Sequence, residues 1–326
     1  MSKWKSNFDG YREAVAYIAG RHKGEITSFE LPWPSLNDAL VGGFEWHTTN
    51  IIGARPGTGK TLFKDQLIRE GFIKNKDPFN VLEFQLEMPA RTMAMREFSN
   101  LIGLSYKQLC SASNDVYAPN ITAQDFEKCK AVMNREIHPP HHIVEDAPTV
   151  DELEKTVEEY MEQYSGKDSS GRLQYTNTIV TLDHTILVRY GKEGRTEMLY
   201  RLGETLTKLK KKFPICFIIV SQLNREVDQL LRCEPGKAGN YIKDSDIFGA
   251  DAMLQHADTL IALDRPAKRN LNPYGPNRYI IDNKDMIFLF LLKNRAGDTG
   301  LMHFMAKYET MEMVESAEPQ IKQKNK

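Results

Sequence analysis

Along the chain, short runs of aliphatic and β-branched residues alternate with longer stretches whose apolar positions recur every three or four residues. The strand-like runs are HTTNIIGA (47–54), FNVLEFQLEM (79–88), HHIVEDAP (141–148), NTIVTLDHT (177–185), PICFIIVSQ (214–222), DTLIALD (258–264) and DMIFLFLLKNR (285–295). Between them, KTLFKDQLIREGFI (60–73), PARTMAMREFSNLIG (89–103), TVDELEKTVEEYMEQY (149–164) and TEMLYRLGETLTKLKKKF (196–213) carry helical spacing. Thr149 and Glu152 stand at the separation of a capping box, which fixes where the third of these helices begins. Alternating strands and helices predict an α/β fold, a mainly parallel central sheet flanked by helices.

Two ends lie outside that alternation. DGYREAVAYIAGRH (9–22) predicts one more amphipathic helix, with Tyr11, Val15, Ile18 and Ala19 on one side. Residues 1–24 are too few for a domain, so they read as a linker helix whose apolar stripe docks on its own core or on a neighbouring subunit. Residues 25–312 then form the main domain. The tail, 313–326, ends in ESAEPQIKQKNK, which has nothing to bury and is expected to be disordered. Three polar stretches, 164–172, 231–246 and 265–284, read as loops.

The stretch GARPGTGKT (53–61) follows the first strand and opens the first long helix. In that setting, the backbone of Ala54, Arg55, Pro56, Gly57, Thr58 and Gly59 wraps one point, and its amides and those of the helix's first turn bind anionic oxygens there. Lys60 would reach the β- and γ-phosphates and the Thr61 hydroxyl would hold Mg²⁺. The strict pattern has Gly where this chain has Ala54, a residue small enough to be tolerated.

Hydrolysis needs more parts than a cradle. Asp183 ends TIVTLD, where a carboxylate beside the phosphate loop can serve the Mg²⁺ shell. Glu87, at the end of its strand, is placed to orient or deprotonate the attacking water; Glu83 is its rival, with an exposed strand position as the plain explanation. Gln222 closes another strand with an amide that can donate to a γ-phosphate and accept from water, or that simply ends the strand. Lys293 and Arg295, two apart on the last strand, present two cations on one face. Such a pair wants an anion, which a γ-phosphate from a neighbouring subunit would supply; a solvated sheet edge is the alternative.

Composition narrows the setting. With 43 basic and 44 acidic residues the net charge is −1, which argues against a globally basic coat for nucleic acid and leaves room for local basic loops. Cys110, Cys129, Cys216 and Cys233 stand far apart with no paired spacing, so neither zinc nor a disulfide framework is suggested and a reducing, cytoplasmic setting fits. No apolar run approaches the ~20 residues of a membrane span, so no membrane partner is expected.

Taken in order, WPSLNDALVGGF (33–44), GARPGTGKT (53–61), LEFQLEMPARTMAMR (82–96), IVEDAPTVDEL (143–153), IVTLDHT (179–185), SQLNREVDQ (221–229), DAMLQHADTLIALDR (251–265) and LLKNRAGDTG (291–300) resemble the ATPase domain of the DnaB-type replicative DNA helicases, from about residue 20 to 312. The resemblance implies a RecA-like P-loop NTPase fold and a ring, usually hexameric, that binds ATP and Mg²⁺ between subunits and moves on single-stranded DNA at a replication fork. It implies Glu87 as catalytic base, Asp183 as metal-side carboxylate, Gln222 as γ-phosphate sensor, and Lys293 and Arg295 as the pair entering the neighbour's site. Residues 186–196 and 225–246 match the channel loops, where Arg189, Lys192, Arg195, Arg225, Arg232, Lys237 and Lys243 would track a phosphate backbone without reading sequence. The linker helix would dock on the adjacent subunit, and a primase, a loader or a collar-supplying protein would be partners, since the family's N-terminal collar domain has no counterpart in this sequence. HTIL after Asp183, and a 244–258 stretch lacking the family's arginine and Gly-Ser, depart from the pattern. A RecA- or RadA-like recombination ATPase and an ATP-gated ring scaffold without unwinding activity are the competing readings.

Overall fold

The computed structural model describes residues 4–111, 120–134, 140–167, 171, 173–233 and 239–322. Among the described residues, nine strands form one sheet: β1 (Thr48–Ala54), β2 (Asn80–Gln85), β3 (His141–Val144), β4 (Thr178–Asp183), β5 (Ile215–Gln222), β6 (Thr259–Asp264), β7 (Met286–Asn294), β8 (Gly300–Lys307) and β9 (Glu312–Glu315). Their order across the sheet is β9-β8-β7-β6-β1-β5-β4-β2-β3. The block from β6 to β3 is parallel, and β7, β8 and β9 add to it antiparallel. The six longest helices among the described residues are α1 (Asn7–Lys23), α2 (Lys60–Lys74), α3 (Ala90–Ile102), α4 (Ala123–Met133), α5 (Val150–Gln163) and α6 (Gly194–Lys212). Among the described residues, no helix is long and apolar enough to cross a membrane.

Strand alternation divides the core in two. Val180, Leu182, Phe217 and Ile219 pack against Leu153 and Val157 of α5 and Leu202 and Leu206 of α6. Ile179, Ile218, Ile52 and Leu289 face the other way, onto Phe63 and Leu67 of α2 and onto Phe29, Trp33 and Phe44 from the segment before β1. Trp33 stacks on Phe63 with ring centroids 4.3 Å apart. At α5 the capping box is present: Thr149 Oγ1 accepts from the Glu152 amide at 3.3 Å and Glu152 accepts from the Thr149 amide at 2.6 Å. Such a cap contributes about 1 kcal/mol.

Two expectations change and an open alternative is narrowed. The tail is ordered as far as it is described: Met313 in β9 is buried, its carbonyl accepts from Trp33 Nε1 at 2.8 Å, and the Gln320 carbonyl accepts from the Ile280 amide at 2.7 Å. The fold therefore continues past residue 312. Composition misled because the segment adds one buried Met and backbone pairing rather than an apolar run. The polar stretch 265–284 likewise gives Leu271, Tyr274 and Tyr279 to the core. For α1, only Gly20 is buried, and Phe8, Tyr11, Val15 and Ile18 are each about two-thirds exposed, so its apolar stripe does not dock on the chain's own core.

Candidate active site

The loop from β1 to α2 bends through Gly57 at φ +71° and Gly59 at φ +117°, values that side-chain-bearing residues rarely adopt. Gly59 caps α2, so the helix's first amides open onto the loop. Lys60 is 8% exposed and its Nζ donates to the Ala54 carbonyl at 2.9 Å, folded back on its own loop. Burial lowers the Lys60 pKa to about 8, against the opposing pull of Asp183 and Glu87. Anionic oxygens delivered to the cradle would attract that ammonium and favour its charged form further.

Asp183 ends β4, fully buried, in register between Gln85 of β2 and Val220 of β5. Its Oδ2 accepts from Thr61 Oγ1 at 3.4 Å, so the helix and strand ends meet at this pair. Its Oδ1 is buried without a hydrogen-bond partner. An orphaned carboxylate oxygen beside a threonine hydroxyl and the phosphate cradle is what a divalent cation needs, so these residues fit Mg²⁺.

Glu87 and Gln222 come to the same cavity, of about 480 Å³, with Lys60 and Thr61. His184 joins them: Gln222 Nε2 donates to His184 Nε2 at 3.2 Å, and Glu87 Oε2 stands 3.9 Å from the same nitrogen. Burial lowers the His184 pKa, so near neutral pH the ring is uncharged and its Nε2 accepts from the amide. HTIL departs from the pattern of the resemblance, and the structure gives its His184 a place on the Gln222 amide, with Glu87 close by. The rival Glu83 is not an exposed strand position, as expected, but fully buried, on Lys64 and on His141 Nε2 at 2.9 Å. Burial alone would raise its pKa, but Lys64 and His141 hold it down to about 2, so it stays ionised and engaged.

Other contacts had no signal in the sequence. Lys268 Nζ donates to the Pro56 carbonyl at 3.1 Å, and a Cβ on Gly57 would lie 2.4 Å from that Nζ. Tyr308 Oη donates to the Thr58 carbonyl at 3.0 Å, and Arg265 lies over the Tyr308 ring at 4.6 Å. Arg55 turns its side chain away from the cradle, to Asp228 at 2.7 Å and the Leu223 carbonyl at 3.1 Å, so only its backbone serves the loop.

The remaining basic candidates divide. The two segments that carry them leave from strand ends at the cradle's edge of the sheet, 186–196 after β4 and 225–246 after β5. Lys192, Arg225 and Lys243 are exposed there. Arg189 is exposed and pairs with Glu152 at 2.5 Å, and Arg195 lies over the Tyr190 and Phe248 rings. Arg232 is different: it grips Asp246 with both terminal nitrogens, at 2.5 and 2.9 Å, and donates to the Tyr241 carbonyl at 2.7 Å. That guanidinium is a brace inside its own loop, which corrects the expectation that it is free for a phosphate backbone. Lys237 lies outside the described residues.

Lys293 and Arg295 are not at the cradle's edge. Because β7 runs antiparallel to β6, its end lies beside the start of β6, and a strand of that length separates the two edges by roughly 20 Å. Lys293 Nζ donates to the Leu254 carbonyl at 2.6 Å and Arg295 Nη1 to Asp258 Oδ1 at 2.8 Å. For Arg295 the anion is supplied by the chain itself, and Lys293 has a backbone carbonyl instead.

A family model for the DnaB-like helicase C-terminal domain matches residues 34–315. The chain is 24% identical over 295 residues to the replicative DNA helicase DnaB of Geobacillus stearothermophilus, covering 87% of this chain and 56% of that one. It is 24% identical over 286 residues to the replicative DNA helicase DnaC of Bacillus subtilis (strain 168), covering 85% and 54%. It thus spans about half the length of the curated relatives it matches. A solved, isolated ATPase domain superposes with a TM-score of 0.74 at 18% identity, over 94% of this chain and 98% of that one. A DnaB-like replicative helicase, solved in a study of its interactions with primase, superposes with a TM-score of 0.72 at 18% identity, over 96% and 67%. The fold is RecA-like, and the chain belongs to the DnaB-like helicase C-terminal domain family.

Proposed function

We propose that this chain hydrolyses ATP with Mg²⁺ as the motor of a hexameric ring that moves on single-stranded DNA and unwinds duplex ahead of it. The observation that carries the reading is that Lys60, Thr61, Glu87 and Gln222 line one cavity at the carboxyl ends of the parallel strands, with Asp183 behind it on Thr61 and His184 behind it on Gln222. Thr61 and Asp183 would hold the cation, which supplies Lewis-acid stabilisation of charge on the transferring phosphoryl group. Glu87, exposed at the cavity, takes the proton of the attacking water. Gln222 reads the γ-phosphate and passes its state through His184, since the amide that now donates to the imidazole can instead donate to phosphate.

Assembly completes the motor. Lys293 and Arg295 lie too far from their own cradle to serve it, which supports their entry into a neighbouring subunit's site. The exposed stripe of α1 would dock on that neighbour. Lys192, Arg225 and Lys243, with Arg189 and Arg195, would follow a DNA backbone, and a primase, a loader or a collar-supplying protein would complete the fork machinery. The test is strand displacement on forked DNA with ATP, beside the Lys60→Ala protein. Displacement that disappears in the variant is expected. ATP turnover with no displacement on either tail polarity would favour the ring scaffold instead.

A further inference from the structure

Beneath α2 lies a set of buried polar groups that the site as described does not use. Lys64 is one helical turn beyond Lys60 and fully buried, and its ammonium meets Glu83, Asp65 Oδ1 at 3.2 Å and Asp183 Oδ2 at 3.7 Å. Three carboxylates face one ammonium, with His141 on the far oxygen of Glu83. Glu83 and Gln85 share strand parity with Val81, which packs on the α2 side, as Asp183 does with Ile179. Gln85 is 1% exposed, is the register partner of Asp183, and has neither amide atom hydrogen-bonded.

A buried ion pair is an unfavourable way to fill a core, since apolar residues of similar volume serve as well or better. A buried primary amide with both ends unpartnered is worse still unless water or an ion completes it. Both features surround one carboxylate, and they treat its two oxygens differently: Oδ2 has Thr61 and Lys64, Oδ1 has nothing.

We propose that Lys64, Glu83 and Gln85 are positioning residues for the metal-side carboxylate: Lys64, anchored by Glu83, fixes the rotation of Asp183, and Gln85 hydrogen-bonds water retained around the cation. Mg²⁺ keeps several of its waters, so an amide beside the ligand has a role without touching the metal. The inference rests on the nucleotide-site reading above, and makes this chain's metal affinity depend on a charge pair buried behind the site.

The test is a Mg²⁺ titration of fluorescent-ADP binding by the full chain, with an EDTA baseline and thermal unfolding alongside. Lys64→Met alone would strand Glu83 and is expected to unfold, so the informative protein is Lys64→Met/Glu83→Leu. The two charges leave together, so Glu83 is not left unpaired, and Asp183 loses the ammonium at 3.7 Å that sets its rotation. The expected result is cooperative unfolding, EDTA-baseline affinity within about twofold of wild type, and a half-saturating Mg²⁺ concentration about tenfold higher, with Gln85→Leu shifted the same way. A folded double variant with the wild-type Mg²⁺ requirement overturns the positioning role and leaves the pair purely structural. A wild-type protein that binds ADP without regard to Mg²⁺ overturns this inference alone, whereas one that binds no ADP at all overturns the nucleotide-site reading on which it rests.

Discussion

The two edges of the sheet handle charge in opposite ways. At the carboxyl ends of the parallel strands, Asp183 Oδ1, His184 Nδ1 and both amide atoms of Gln85 are buried without partners, and Lys60 makes do with a carbonyl of its own loop. At the other edge Asp258 gathers everything: Lys210 and the Thr49 amide on Oδ2, Arg295 on Oδ1. The first edge leaves its charged and amide groups open to a ligand, whereas at the second the charges around Asp258 are paired within one chain. Yet the second is not uniform. Lys210 is 10% exposed and held, whereas Arg295 is 57% exposed, where an ion pair is worth only about 0–1 kcal/mol. Arg295 can therefore exchange Asp258 for another anion at little cost, while Lys210 keeps Asp258 paired.

The largest expected effect breaks the comparison at that second edge. Arg295→Ala should lower ATP turnover of the assembly by about 10³-fold or more, as loss of an arginine acting across an interface does. Nucleotide affinity of a single chain should be unchanged. Steady-state turnover measured beside equilibrium binding checks both, and lost binding would place Arg295 in its own subunit's pocket. At the first edge, Glu87→Gln should cost about 10²–10⁴-fold in turnover, the range for a general base, while Mg²⁺–nucleotide affinity stays near wild type.

Much of the cradle's edge was legible in the sequence, because each piece sits where a strand or helix ends and such ends are marked by a change of residue type. GTGKT after β1, Asp183 after TIVTL and Gln222 after IIVS could be placed from periodicity alone, and the structure brings them together. What could not be read depends on tertiary approach. Nothing in KTLFKDQ says that Lys64 points at Glu83, and nothing in RPAKRN says that Lys268 reaches Pro56. Arg232 read as a loop cation because its partner Asp246 lies across a long loop whose closure periodicity does not reveal.

That residue sharpens the comparison through stability. Asp246 is 6% exposed and Arg232 23%, so Arg232→Ala leaves a buried carboxylate facing no charge and should cost about 3 kcal/mol in chemical denaturation. Unchanged stability would return Arg232 to the DNA-binding set.

The smallest effects belong to the exposed cations of the same edge. Lys192 and Arg225 are exposed, so each Ala substitution should leave unfolding unchanged. If they lie along a phosphate backbone, each neutralises about one phosphate and releases its counterion. Single-strand affinity should then fall a few-fold for any sequence, and the slope of log affinity against log salt should flatten by about 0.7 per residue removed. Fluorescence anisotropy of a labelled oligonucleotide across about 50–200 mM salt reads both quantities. A weaker affinity with the slope intact would mean that the loop had moved rather than that a phosphate contact had gone. The salt slope, more than the affinity, therefore separates a cation on the DNA path from one that, like Arg232, holds the loop in shape.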